Sequence, residues 1–345
     1  MKCVIYGYKK YITYYKFVKI KMEESHIIEL TDDEIEIMKK LAMIINTSPS
    51  LTPELYCSQV NIASIHVPER INTLLQNFAH KGTNTGFLLI RRIPIDELPS
   101  TPENNNCKIG EQTVLAKIQS ILVSVISNMI AYEAEGYGRL YQDVIPVKSM
   151  EKNQTSISSS VELEIHTEQA FSKLRPDILS LACLRGNEKA YTYILPVRSI
   201  INNVTETELE MLKTPLWNTG VDLSFKLNGH EFIEGDIRGP MSIIIGDKDP
   251  LLVFDQDLMT GITESSNEMI KKIVDIYYEH RLSHNLTTGE IVFIDNNRAV
   301  HGRSPFTPNY DGLDRFLVRC FGVYNYEYSA YARENGGRIV SAIYS

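Results

Sequence analysis

The sequence contains no run of 18 apolar residues, so it offers no candidate membrane span. Positive charge is in deficit: 35 Lys and Arg stand against 43 Asp and Glu, for a net charge of −8. No basic stripe appears either, which argues against nucleic acid as a partner. Cysteine is sparse. Cys3, Cys57, Cys107, Cys183 and Cys320 are odd in number, scattered, and include no Cys-x-x-Cys pair, a pattern that fits a reducing, cytoplasmic home rather than a disulfide framework. Cys183 and Cys320 fall in apolar, strand-like runs, where cysteine behaves as a small core residue. There is no repeat and no low-complexity block. Residues 1–21 are rich in Tyr and Lys but lack the continuous apolar stretch and cleavage site of a signal peptide. The expectation is a loose N-terminal arm or an over-long start, with residues 22–345 forming a single domain.

What is present supports a substantial core: 345 residues, 43% of them hydrophobic. Thr31-Asp-Asp-Glu34 reads as a capping box ahead of a helix whose apolar positions include Ile35, Met38, Leu41, Ala42 and Ile45. Pro49 and Pro53 are expected to end it. Further helices are predicted over 64–80, 113–130, 204–213 (capped by Thr205, with Glu208 three residues on) and 267–282. Strands are predicted at 86–90, 140–146, 161–165, 179–184, 191–195, 221–226, 241–245, 251–254 and 290–294. Helices first, then many short strands, argue for an α+β fold with a β-rich core and flanking helices.

The most informative stretch is Val161-Glu-Leu-Glu-Ile-His166-Thr-Glu168-Gln-Ala-Phe171. On a strand, positions i and i+2 share a face, so His166 and Glu168 set an imidazole beside a carboxylate. A second imidazole, His301, follows the strand at 290–294. Two His and one carboxylate make a facial triad that leaves open positions on a metal. Beyond His301 come Arg303, Arg315 and Arg319. The last two lie four apart on an apolar strand, and buried arginines on one face want anionic partners. A metal with open positions beside guanidinium groups implies an acidic co-substrate.

Three blocks then carry a resemblance: His166-Thr-Glu-Gln-Ala-Phe171, Leu179-Ser-Leu-Ala-Cys-Leu-Arg-Gly186 and Asp295-Asn-Asn-Arg-Ala-Val-His-Gly-Arg-Ser-Pro-Phe306. Over residues 80–325 the chain resembles the clavaminate synthase-like branch of the Fe(II)/2-oxoglutarate oxygenases, in particular the hydroxylases of free arginine, asparagine and lysine. The resemblance implies a double-stranded β-helix (jelly-roll) core, with His166, Glu168 and His301 as iron ligands. A carboxylate ligand implies hydroxylation rather than halogenation. Arg315 and Thr192 match the residues that hold 2-oxoglutarate. Arg319 and Ser156 match those that clamp the α-carboxylate of the amino acid. Glu135 falls near the place of an acid for the α-amine.

Relatives acting on basic amino acids carry acids where this chain has Asp255 and Asp257, implying a substrate that ends in an ammonium or guanidinium. The expected reaction is hydroxylation of free L-lysine at C4 with O2, giving succinate and CO2. L-Arginine hydroxylation at C3 is the runner-up. A metal-free binding module and a zinc hydrolase are rivals from other classes. The span 130–160, with Gly136 and Gly138, is the expected lid, and a homo-oligomer is left open.

Overall fold

The computed structural model describes residues 26–226 and 231–344, so the expected arm at residues 1–21 lies outside the described residues. Helix α1 (Asp32–Ile44) starts at the expected capping box: the Thr31 side chain accepts from the Glu34 amide, and Glu34 Oε2 accepts from the Thr31 amide at 2.8 Å. Pro53 starts a helix instead of ending one. It occupies the first turn of α2 (Pro53–Ser64), where its missing N–H leaves no helix bond unmade. The predicted helix at 64–80 is therefore the end of α2 followed by α3 (Glu69–Lys81), with Pro68 between them. Helix α4 (Val114–Ile126), capped by Thr113, stops at Ser127, and the rest of that apolar run becomes a strand. These helices bury Met38, Tyr56, Leu75 and Leu122 in one cluster with Leu88, Ala182, Phe293 and Val318 of a large sheet. Each such side chain contributes roughly 1.5–3 kcal/mol by leaving water.

That sheet contains β1 (Ile27–Glu29), β2 (Phe87–Arg91), β3 (Asn128–Tyr132), β4 (Gln142–Val144), β6 (Ile178–Arg185), β14 (Ile291–Asp295), β16 (Phe316–Val323) and β17 (Ile339–Val340). Its order is β1-β2-β14-β6-β16-β3-β17, with β4 also paired to β16. A smaller sheet runs β13-β7-β15-β5, from β5 (Leu163–His166), β7 (Tyr191–Pro196), β13 (Leu282–Asn285) and β15 (Ala299–Arg303). Leu89, Leu181, Ile294, Leu317 and Phe321 from the large sheet share an apolar cluster with Ile194 and Ala299 from the small one, so the two sheets meet across a core.

The outer side of the small sheet packs Ile165, Leu195 and Val300 against Trp217, Ile273 and Tyr277. These come from β8 (Trp217–Gly220) and α8 (Glu264–His280). Arg281, after α8, reaches Glu162 at 2.7 Å and lies 3.7 Å from the Tyr193 ring centroid, tying helix to sheet. Short elements complete this side: α5 (Val197–Ile201), α6 (Glu206–Lys213) with the expected Thr205–Glu208 box, β9 (Ile237–Met241), β10 (Ile244–Ile245), β11 (Leu251–Leu252) and β12 (Met259–Gly261). The predicted strand at 221–226 is instead a single helical turn, α7 (Leu223–Lys226). The architecture is α+β. No helix among the described residues is long and apolar enough to cross a membrane.

Gly302 lies on β15 against its antiparallel neighbour β5. A Cβ there would stand 2.6 Å from the Leu163 carbonyl oxygen, and the strand register shifts between His301 and Arg303. The expected lid at 130–160 is not one flap, because β3 and β4 within it are buried strands of the large sheet.

Candidate active site

β5 ends at His166, and His301 of β15 is its direct partner across the strand pair. The two rings stand 4.4 Å apart at an angle of 53°. Glu168 lies past the end of β5, so the strand pleat does not aim it, contrary to the expectation from its i+2 spacing. Asn296 does: it accepts from the Glu168 amide at 2.8 Å and donates to the Glu168 carbonyl at 3.1 Å and the Pro176 carbonyl at 2.7 Å. The outcome is the expected juxtaposition, with one ligand atom from each of His166, Glu168 and His301 lying within 4.8 Å of the others.

The chemistry of this donor set suits a divalent cation. Burial pushes the Glu168 carboxyl up, but Arg319, His301 and His166 together outweigh it and hold it at about 2, so it is ionised. Burial, reinforced by His166, lowers His301 to about 4 and keeps it neutral. Glu168 Oε2 is buried without a hydrogen bond and stands 3.4 Å from His301 Nε2, so the two atoms face one space in which a cation would satisfy their lone pairs. His166 Nδ1 is 2.8 Å from the Glu164 carbonyl, the kind of outer contact that fixes a ligand imidazole and leaves its Nε2 free.

Arg315 and Thr192 both line a small cavity of about 40 Å³ against this triad. Arg315 is 5% exposed and makes no hydrogen bond or ion pair with any described residue; burial lowers it to about 10. An isolated buried guanidinium is costly unless a carboxylate joins it, so this end fits an acidic ligand. Arg303 is occupied differently. It donates to the carbonyls of Ser156 at 3.2 Å and Val161 at 3.4 Å and to Ser158 Oγ at 3.0 Å, stapling the 156–161 loop to β15.

A larger cavity of about 400 Å³ shares His166, Glu168, Ser156 and Arg319 with the first. Arg319 donates to Glu168 at 3.0 Å, to Gln142 at 2.8 Å and to Glu135, which also accepts from Gln169 at 2.9 Å. Burial raises the Glu135 carboxyl while Arg319 opposes it. Ser156 lines both cavities, and its carbonyl is held by Arg303. Asp255 and Asp257 also line the larger one, but not from one strand face. They sit in a turn in which Asp255 accepts from the Leu258 amide at 2.8 Å; Asp255 is buried and Asp257 exposed.

Two acids that the sequence does not single out join them, Asp222 and Glu164. Burial, then Asp255 and Glu135, hold Asp222 well above the usual carboxylate range, and burial with Asp257 and Asp255 raises Glu164. An acid inside the otherwise strand-like run Val221-Asp-Leu-Ser-Phe is the available signal for Asp222. Nothing local in the sequence marks Asn296 as the clamp on Glu168.

The chain is similar to known proteins over most of its length. The profile of the taurine catabolism dioxygenase TauD, TfdA family matches residues 225–321. The chain is 43% identical over 325 residues to an L-lysine 3-hydroxylase of Catenulispora acidiphila, covering 94% of this chain and 91% of that protein. It is 25% identical over 311 residues to an L-lysine 4-hydroxylase of Flavobacterium johnsoniae, covering 85% and 82%. A solved structure of asparagine oxygenase with Fe(II), 2S,3S-3-hydroxyasparagine and succinate superposes with a TM-score of 0.84 at 28% identity, covering 92% of this chain and 99% of that one.

Proposed function

The chain belongs to the clavaminate synthase-like group of Fe(II)/2-oxoglutarate-dependent amino-acid hydroxylases, and from that premise we propose that it hydroxylates free L-lysine at C3. Fe(II) and 2-oxoglutarate are its cofactor and co-substrate; together they supply oxidation of a C–H bond by O2, with succinate and CO2 as by-products. The two facing sheets are the double-stranded β-helix of one oxygenase domain.

His166, Glu168 and His301 hold the metal. Arg315, with Thr192 beside it, takes the distal carboxylate of 2-oxoglutarate through a charge-assisted fork. Arg319 and Ser156 take the α-carboxylate of lysine, and Glu135, relieved of Arg319, takes the α-ammonium. Asp222, Asp255 and Asp257 face the ε-ammonium. The protein's part in the chemistry is to fix one C–H bond beside the metal and to keep water out.

The observation that carries this reading is the charge pattern of the larger cavity. Among the described residues that line it, Arg319 is the single Lys or Arg and sits at the metal end, and the remaining lining includes the acids Glu164, Asp222, Asp255 and Asp257, none of which has a cationic partner among the described residues. For the carbon attacked, the sequence resemblance favours C4. Two observations support C3 instead: similarity to a lysine 3-hydroxylase over 94% of the chain, and the 3.0 Å contact of Arg319 with Glu168, which brings the α end of a clamped substrate close to the metal. A metal-free binding module would leave the His166, Glu168 and His301 donor set without a purpose, and a zinc hydrolase would leave buried Arg315 without one.

The test is succinate formation and O2 uptake with each free amino acid under iron and 2-oxoglutarate, with the product located by NMR. Hydroxylation of lysine at C3 is the expected result. Hydroxylation at C4 would overturn the position, preference for arginine the substrate, and absence of turnover with every basic amino acid the whole reading.

A further inference from the structure

β5 and the residue before it present two acids on the approach to the metal, Glu162 and Glu164, and they are used differently. Glu162 is paired with Arg281 at 2.7 Å and accepts from Tyr277. The Glu164 side chain makes no hydrogen bond or ion pair with any described residue, although its backbone is fully engaged: its amide donates to Gln154 at 3.1 Å and its carbonyl meets His166. Glu164 is half-buried and lines the same cavity as Asp222, Asp255 and Asp257. The Asp222 side chain likewise makes no hydrogen bond or ion pair with a described residue. Like charges gathered in a partly dry cavity repel unless a cation lies among them. Arg319 cannot be that cation, since Glu135, Glu168 and Gln142 already hold it.

Resting on the reading of this cavity as the site for a basic amino acid, we propose that Glu164 is a specificity-determining residue, a further carboxylate that receives the substrate's terminal cation opposite Asp222, Asp255 and Asp257. An ammonium has three N–H donors, and Glu164 offers them an acceptor from a different element than the three aspartates do. Glu164 supplies an acceptor from the metal-bearing strand itself, so the charged end of the substrate is referenced to the same rigid element as the metal ligand His166. A neutral amino acid of the same length would leave these acids crowded and unanswered, and the site rejects it for that reason.

The test is Glu164→Gln, which keeps the shape of the side chain and every backbone bond of β5. With wild type and variant, KM for lysine, KM for 2-oxoglutarate, kcat and the inhibition constant of L-norleucine, which lacks the terminal ammonium, are measured side by side. Loss of one charge-assisted hydrogen bond is expected to weaken lysine about tenfold. The KM for 2-oxoglutarate and kcat are expected to change less than about twofold, and L-norleucine is expected to inhibit no more weakly than in wild type, since it carries no terminal charge to lose and one crowded acid has gone. Unchanged lysine KM in an active variant overturns this inference and leaves the parent reading intact, as does equal weakening of lysine and norleucine. If wild type accepts a different cationic amino acid, the same comparison is made with that substrate. If it accepts none, both readings fall together.

Discussion

His301 stands directly opposite His166 across an antiparallel strand pair, with ring centroids 4.4 Å apart, although 135 positions separate them in the chain. The metal centre is thus set by strand register, and Glu168 joins it from a turn. Replacing His166 or His301 with Ala is expected to lower iron affinity by more than the roughly 10–100-fold that loss of an outer partner costs. Anaerobic iron titration checks it, and retained tight binding would remove these residues from the ligand set.

Asn296 acts through Glu168 and lines neither cavity. Asn296→Ala removes three buried hydrogen bonds and should weaken iron binding about 10–100-fold while lowering folding stability by about 1–3 kcal/mol. Chemical denaturation of the metal-free protein separates the two effects. A stability loss with unchanged iron affinity would mean that Asn296 merely braces the fold.

Arg315→Gln should raise KM for 2-oxoglutarate about 10–150-fold, the equivalent of about 1.5–3 kcal/mol for a hydrogen bond to a charged group. KM for lysine should stay nearly constant. Because the native guanidinium is buried without a hydrogen-bonding partner among the described residues, the variant should be no less stable than wild type in the absence of co-substrate. Marked destabilisation would show that Arg315 is structural.

The Glu290 carboxyl gives a pH-dependent contribution to stability. Burial raises it, but His284 at 2.8 Å, the Thr287 amide at 2.9 Å and Arg91 at 2.8 Å outweigh burial and lower it below its ordinary 4.5. A group lowered on folding stabilises above its unfolded value and loses that contribution as pH falls through the folded one. The stability gap between wild type and Glu290→Gln should therefore be full near neutrality and shrink below pH 4.5. A gap that is constant down to pH 3 or so would contradict it.

Legibility in the sequence follows how local each cause is. The capping boxes at Thr31 and Thr205 are readable because each needs only four consecutive residues. The His166, Glu168 and His301 set is readable from residue type, though the reason for Glu168's placement lies in Asn296, 128 residues away. The change from helix to strand at Ser127 is hidden, since a buried strand and a buried helix face are equally apolar. Pro53 is ambiguous because proline both ends helices and begins them. Asp222 and Glu164 become meaningful only when folding places them around one cavity with the turn at Asp255.

Gly302 makes the metal centre a matter of clearance as well as of ligands. It leaves room on β15 for a backbone carbonyl of β5 that any side chain would strike. A single added methyl would prise the two strands apart and carry one imidazole away from the other, with every donor atom still present. The oxidising power of this protein is thereby hostage to a hydrogen atom where nineteen other residue types would bring carbon.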